Sequence, residues 1–308
     1  MKPAFSVLFL TTLIGAAQGL LIALVGAQFL IGIEGRGFFA LGAALALALL
    51  CLGLVASVFH LANPQRGWRA ATRWRTSWLS REVIMIPLLC GLVVLYGGVM
   101  LLGWSPLLFG SLDLAGLLGL LVVVAALGLF VCTGMIYACV RFIRQWASPW
   151  TVINYLLMGL ASGFTLAGAY GSVMAHPLAG TFATGALIFT LLALVARLYQ
   201  LGLNRRGRDR SSLKSAIGTR HPQVRQITQG FMGQSFNTVE FFAPGGAETV
   251  RGLTLFFLLA GFVAPTVLLV SGQPVLAFFC QYVGFLAERW VFFAAGQHVQ
   301  NLYYQAKA

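Results

Sequence analysis

His60 and Glu82 are the residues of this chain whose types and placement suggest chemistry. His60 closes one long apolar run and Glu82 opens the next, across the arginine- and tryptophan-rich stretch LANPQRGWRAATRWRTSWLSR. An imidazole with an ordinary pKa of about 6.5 can donate to a carbonyl oxygen, and a partly buried carboxylate can relay protons. Both are needed where two electrons and two protons move together at a membrane boundary, as in the oxidation or reduction of a quinone. Arg81 and Arg66 are candidates to hold the electrostatic balance of such a site. For Arg66, as for Arg69, Arg73 and Arg75, an orientation signal is the simpler reading.

A second group lies in the last apolar run, where Glu288 and Arg289 are adjacent near its middle. Ionisable side chains at that depth are costly and normally face the interior of a helix bundle. Neighbouring residues point about 100° apart on a helix, so the two can have different partners. A structural tie between helices is the competing explanation. His298 follows nine residues after Arg289 and returns to the level of His60. Two histidines on facing helices suffice for a b-type haem, so ligation by His60 and His298 is an alternative to quinone chemistry. His176 and His221 fall elsewhere and supply no second ligand pair.

The remaining polar residues read more plainly. Glu34, Asp113 and His176 sit at the other ends of the apolar runs, where solvated boundary residues are the simpler reading and a proton exit the alternative, and Gln18 reads as an interhelical hydrogen-bond donor. Cys51, Cys90, Cys132, Cys139 and Cys280 form no CxxC pair, so neither an iron–sulfur cluster nor a metal site is expected in this chain.

The elements that must position these groups are membrane helices. The 308 residues are 59% hydrophobic and 9% charged, against about 25% charged in soluble domains. The apolar residues come in blocks near the ~20 residues that cross a bilayer, without the short alternating segments of a β-barrel. The expected fold is an all-α polytopic bundle, a single integral domain over 1–308. Its eight spans are expected near 5–32, 38–61, 83–103, 114–140, 152–174, 178–200, 252–271 and 275–303. The first of these is too long for a signal-peptide core and reads as a retained span.

An even number of spans puts both termini on one face, together with the loops 62–82, 141–151 and 201–251. Those loops carry most of the +13 net charge, and the opposite face offers only Glu34, Arg36 and Asp113. The positive-inside rule makes the basic face cytoplasmic. Arginines placed this way are orientation signals rather than a nucleic-acid surface. The loop 201–251 is too long for a simple connection and has too many aromatics for a disordered linker. It is either a docking surface for another subunit or a cover for its own helix ends. Gly15, Gly19, Ala23 and Ala27, and likewise Gly159 and Gly163, form small-residue stripes for close helix contact. A secondary transporter is a further alternative, although no internal repeat supports it.

The run SVFHLANPQRGWRA, the SREV that opens the next span, and ERWVFFAAGQHVQN in the last one resemble the membrane-anchor subunits of the DMSO reductase family. The opening PAFSVLFLTTLIGAAQGL, the loop segment GFMGQSFNTVEFF and the ending QHVQNLYY resemble the branch of that family that anchors membrane-bound sulfite-oxidising complexes. The resemblance implies an eight-helix anchor in the bacterial inner membrane that binds ubiquinone or menaquinone at His60 and Glu82 and carries no haem. It implies two partners on the cytoplasmic face, an iron–sulfur subunit with 4Fe–4S clusters and a catalytic subunit with molybdenum bis-guanine-dinucleotide. Electrons would pass from sulfite to quinone, or in the reverse sense from quinol to a terminal acceptor. The chain would then be a subunit of an oxidoreductase without being its catalytic centre.

Overall fold

The computed structural model describes residues 1–31, 35–59, 61, 63–110, 112–207, 211–221, 223–225, 227 and 242–303. Eight of its helices are long and apolar enough to cross a membrane, matching the eight expected spans. They are α1 (Phe5–Ile31), α2 (Arg36–Val58), α3 (Trp78–Leu102), α4 (Leu114–Ala138), α5 (Pro149–Val173) and α6 (Ala179–Arg206), followed after the short α7 (Leu213–Ile217) by α8 (Gly246–Val270) and α9 (Pro274–Ala294). A 3-10 helix over Pro64–Arg73 bridges α2 and α3, and a two-stranded hairpin, β1 (Leu107–Phe109) and β2 (Leu112–Asp113), leads into α4.

Helix ends follow local side-chain chemistry. Ser77 caps α3 by accepting from the Ser80 amide at 3.3 Å, so this helix begins five residues before 83 and Glu82 lies within it rather than at its tip. Asp113 caps α4, accepting from the Gly116 amide at 2.9 Å, and Ser148 with Pro149 starts α5. The last helix stops at Ala294, short of the expected 303. Carbonyls of its final turn are taken from elsewhere: the Trp146 indole donates to Phe292 O at 2.9 Å and the Met1 nitrogen to Ala294 O at 3.0 Å. A helix whose terminal acceptors are satisfied by other donors gains little by continuing.

α1 and α5 form the inner pair of the bundle, 78% and 72% buried over their apolar windows, against 28% for α3, α6 and α8. Outward faces of the outer helices carry large apolar side chains such as Leu95, Val195, Val267 and Phe279, as a lipid-facing surface requires. The inner pair crosses at glycine. A Cβ on Gly163 would run into the backbone of Gly19 and Leu20, and one on Gly19 would run into the Gly159 carbonyl. The two small-residue stripes are therefore the two halves of one contact. A π-turn, Leu259–Val263, interrupts α8 just before Pro265 and sets Gly261 against Gly284 of α9, where a Cβ on Gly284 would run into the Gly261 backbone and one on Gly261 would press on the Phe285 ring.

One end of the bundle gathers the first residues, the 139–148 connection and the 295–303 segment, tied by the Met1, Trp146 and Gln145–Gln297 hydrogen bonds, and the 3-10 segment between α2 and α3 belongs to the same end by the order of the crossings. At the other end Arg36 donates to Gly103 O and the Phe38 ring stacks on His176 at 3.9 Å. The amino terminus and the end of the last helix thus share the arginine-rich end, as an even number of crossings demands.

Candidate functional site

Glu82 is 7% exposed, one turn into α3, at the arginine-rich end of the bundle. Thr133 of α4 donates its hydroxyl to Glu82 Oε1 at 2.5 Å. A carboxylate at this depth needs such a donor, because an unpaired one would give up its hydration with nothing in return. On the bundle side of this pair lies a narrow cavity between α1, α3, α4, α5 and α9. It gives about 20 Å³ to the centres of water molecules, room for roughly one water. Polar groups ring it: Thr12, Gln18, Tyr155, Ser162 and Tyr282 in addition to Glu82 and Thr133. The Thr12 hydroxyl donates to Tyr282 at 3.3 Å, and Gln18 spends its amide on Ala126 O at 3.0 Å, the interhelical role read from its sequence position.

Arg289 completes the wall of the same cavity. Its guanidinium lies 3.6 Å from the Tyr155 ring centroid and 3.2 Å from Glu288 Oε2. The other oxygen of Glu288 meets Arg197 of α6 at 2.7 Å. Adjacent in sequence, Glu288 and Arg289 therefore share one cluster instead of taking unrelated partners, and all three charges are at most 5% exposed. Arg197 also donates to Gln200 at 2.9 Å, and Gln200 is held by Asn154 at 2.9 Å and in turn donates to Thr151 at 3.1 Å. Six residues separate Glu288 from the end of α9, which places the cluster about 9 Å inside that end rather than at mid-helix.

The other residues marked in the sequence fall as follows. Arg81 is turned to its own loop, donating to Trp74 O at 2.9 Å and Arg75 O at 3.0 Å with its guanidinium 4.1 Å from the Trp78 ring centroid. Arg66 is exposed on the 3-10 helix and makes no side-chain bond or ion pair among the described residues. His298 lies four residues beyond Ala294, the last residue of α9, and so outside the helix in which the sequence pattern placed it. It is half-buried beyond the helix, its ring 5.2 Å from that of Phe142 and its Nδ1 accepting from the Gln300 amide, and burial pushes its pKa below the usual value. His60 lies outside the described residues, as do Glu34 and the FNTVEF part of the long loop, so neither a His60–Glu82 nor a His60–His298 pairing has a geometry here. Among the described residues no three His, Cys, Asp or Glu side chains converge as a metal site would need.

Sequence reasoning missed Arg197 and Thr133. Arg197 carried the signal that marked Glu288, a charge inside an apolar run. Thr133 carried none, since threonines are common in apolar helices. A second feature, also unforeseen, is a basin of about 1520 Å³ on the same end of the molecule, lined by Arg141, Arg144, Arg205, Arg251 and His298.

Residues 1–224 match the family model described as the DMSO reductase anchor subunit, DmsC. A protein of Allochromatium vinosum, named as a subunit of sulfite dehydrogenase, is 46% identical to this chain over 325 aligned positions, which take in 100% of both sequences.

Proposed function

Because this chain belongs to the DMSO reductase anchor-subunit family, a membrane component of multi-subunit oxidoreductases, we propose that it is the quinone-reactive anchor of a molybdenum enzyme that oxidises sulfite. Electrons would enter from an iron–sulfur subunit, fed in turn by a molybdopterin catalytic subunit, and leave on quinone. The sulfite assignment rests on the name of the 46% identical relative.

The observation that carries the reading is Glu82. It is a carboxylate inside a membrane helix, buried, hydrogen-bonded by Thr133 and open to a polar cavity. Quinone supplies the two-electron, two-proton couple, and a proton must reach or leave each of its oxygens. Glu82 has the position and chemistry to pass one of them. The cavity beside it has room for about one water and not for a ring, so its part is to let the carboxylate exchange protons, while the ring meets Glu82 from outside that space. His60, two residues after Val58 in the sequence, is the proposed second oxygen partner.

In this reading the arginine-rich end is cytoplasmic, as its charge requires, in the bacterial inner membrane. The partner subunits dock there, over the segment 201–251 and the basin of arginines between α6, α8 and the 141–147 connection. Arg81 shapes the approach by pinning the loop, and Arg66 stays an orientation signal. Electron entry and quinone then share one face.

The test is Glu82→Gln in the intact complex purified in mild detergent. Sulfite oxidation with a soluble acceptor should persist at the catalytic subunit, while sulfite-dependent quinone reduction falls by about 100-fold, the upper range for loss of one proton-transfer group being about 10⁴. Undiminished quinone reduction in an assembled Glu82→Gln complex excludes the assignment.

A further inference from the structure

The buried cluster does not balance its own charge. Arg197 and Arg289 bring two positive charges and Glu288 one negative, all within salt-bridge distance and all out of solvent. A net charge left inside a membrane bundle is strongly unfavourable, so a second negative group must face it. Among the described residues the other carboxylates are Asp113, which caps α4 at the opposite end, Glu248, exposed in the first turn of α8, and Glu82. Of these, Glu82 alone is both buried and on a wall shared with the cluster. It and Arg289 line the same small polar cavity.

We propose that Arg289 is a positioning residue for Glu82, holding the cluster's surplus positive charge on the cavity wall so that the Glu82 carboxylate can release the proton it takes up in each turnover. This deepens the quinone reading and rests on it. A relay group must visit both protonation states, and the costly one at 7% exposure is the anion. Thr133 gives that anion a single hydrogen bond. Arg289 supplies the opposite charge, and Glu288 with the Tyr155 ring keeps the guanidinium in place. With Glu82 ionised the four charges sum to zero. With Glu82 protonated the interior carries one excess positive charge, which drives the proton off again. The cavity between them has space and polar partners for a water, the vehicle such a proton needs.

The experiment combines turnover with a double-mutant cycle in the purified complex. Arg289→Gln is expected to assemble with sulfite-dependent quinone reduction lowered at least about tenfold, a part of the roughly 10²–10⁴ that a positioned acid–base group contributes, and Arg289→Lys to recover most of it because the charge is kept. In thermal unfolding, Glu82→Gln/Arg289→Gln is expected to melt above Arg289→Gln alone, since removing both charges restores neutrality. If Arg289→Gln does not assemble, rescue of assembly by the added Glu82→Gln supports the proposal in the same way. Normal turnover in Arg289→Gln, equal losses in the Gln and Lys variants, or strictly additive melting losses would overturn it. Full activity of Glu82→Gln would instead remove the quinone reading, while the melting cycle would still report whether the two charges are coupled.

Discussion

Replacing single glycines of α1 and α5 by alanine perturbs the bundle by one methyl group at a time, and the structure divides them into two outcomes. At Gly163 the new Cβ falls on the backbone of Gly19 and Leu20, where no side chain can swing away. Gly19→Ala meets the Gly159 carbonyl in the same manner. Gly15, one turn earlier on the same face, leaves its Cβ 3.7 Å from Gly159 Cα, an ordinary van der Waals contact, and Gly26 meets nothing within 4 Å. Overpacking of a rigid contact costs about 1–3 kcal/mol, offset by about 0.5–1 kcal/mol from the helix preference of alanine over glycine. Gly163→Ala and Gly19→Ala should therefore lower stability by roughly 1–2 kcal/mol as the net of these effects, while Gly15→Ala and Gly26→Ala stay neutral or gain slightly. Thermal unfolding of the four variants in detergent, followed by circular dichroism, reads the order directly. Because Gly15 and Gly159 also line the Glu82 cavity, the crossing variants should lose quinone turnover along with stability. Equal melting temperatures for Gly163→Ala and Gly26→Ala would refute the close-contact argument.

Two further outcomes follow from the geometry. Thr133→Val removes the hydroxyl that donates to Glu82 and should destabilise the bundle by about 1–3 kcal/mol, with Thr133→Ser largely restoring it; equal melting of the Val variant and the parent would contradict the bond. His298 has its pKa held below the usual 6.5 by burial, so the unfolded segment binds more protons than the folded one between the lowered value and about 6.5. Order in 295–303 should accordingly weaken as pH falls through that window, and amide protection factors there, corrected for the intrinsic pH dependence of exchange, that are flat with pH or rise in acid would exclude this.

Much of the architecture is legible in the residue pattern because lipid imposes a simple rule. A segment crossing hydrocarbon must satisfy its own backbone and show apolar side chains, and eight runs long enough to do so are visible without any tertiary information. Helix ends are less legible. α3 starts earlier because Ser77 caps it, and α9 ends earlier because Trp146 and Met1 take its last carbonyls, the second being a contact between distant parts of the chain. That early end is why His298 stands outside the last span.

The charged cluster shows the same division. Glu288 and Arg289 are conspicuous from their place in an apolar run, but not that they share Arg197, nor that Thr133 serves Glu82. Those pairings depend on which helix faces touch, and α4, α5, α6 and α9 are brought together by packing that no local pattern encodes. Residue types in order are enough to dictate a helical membrane bundle, its basic end and the carboxylates that cannot lie idle in lipid, because hydrophobicity and charge are properties of single residues. Which charges neutralise one another, and where a water can stand between them, is settled in three dimensions, because both depend on distances set by the glycine crossing of two buried helices.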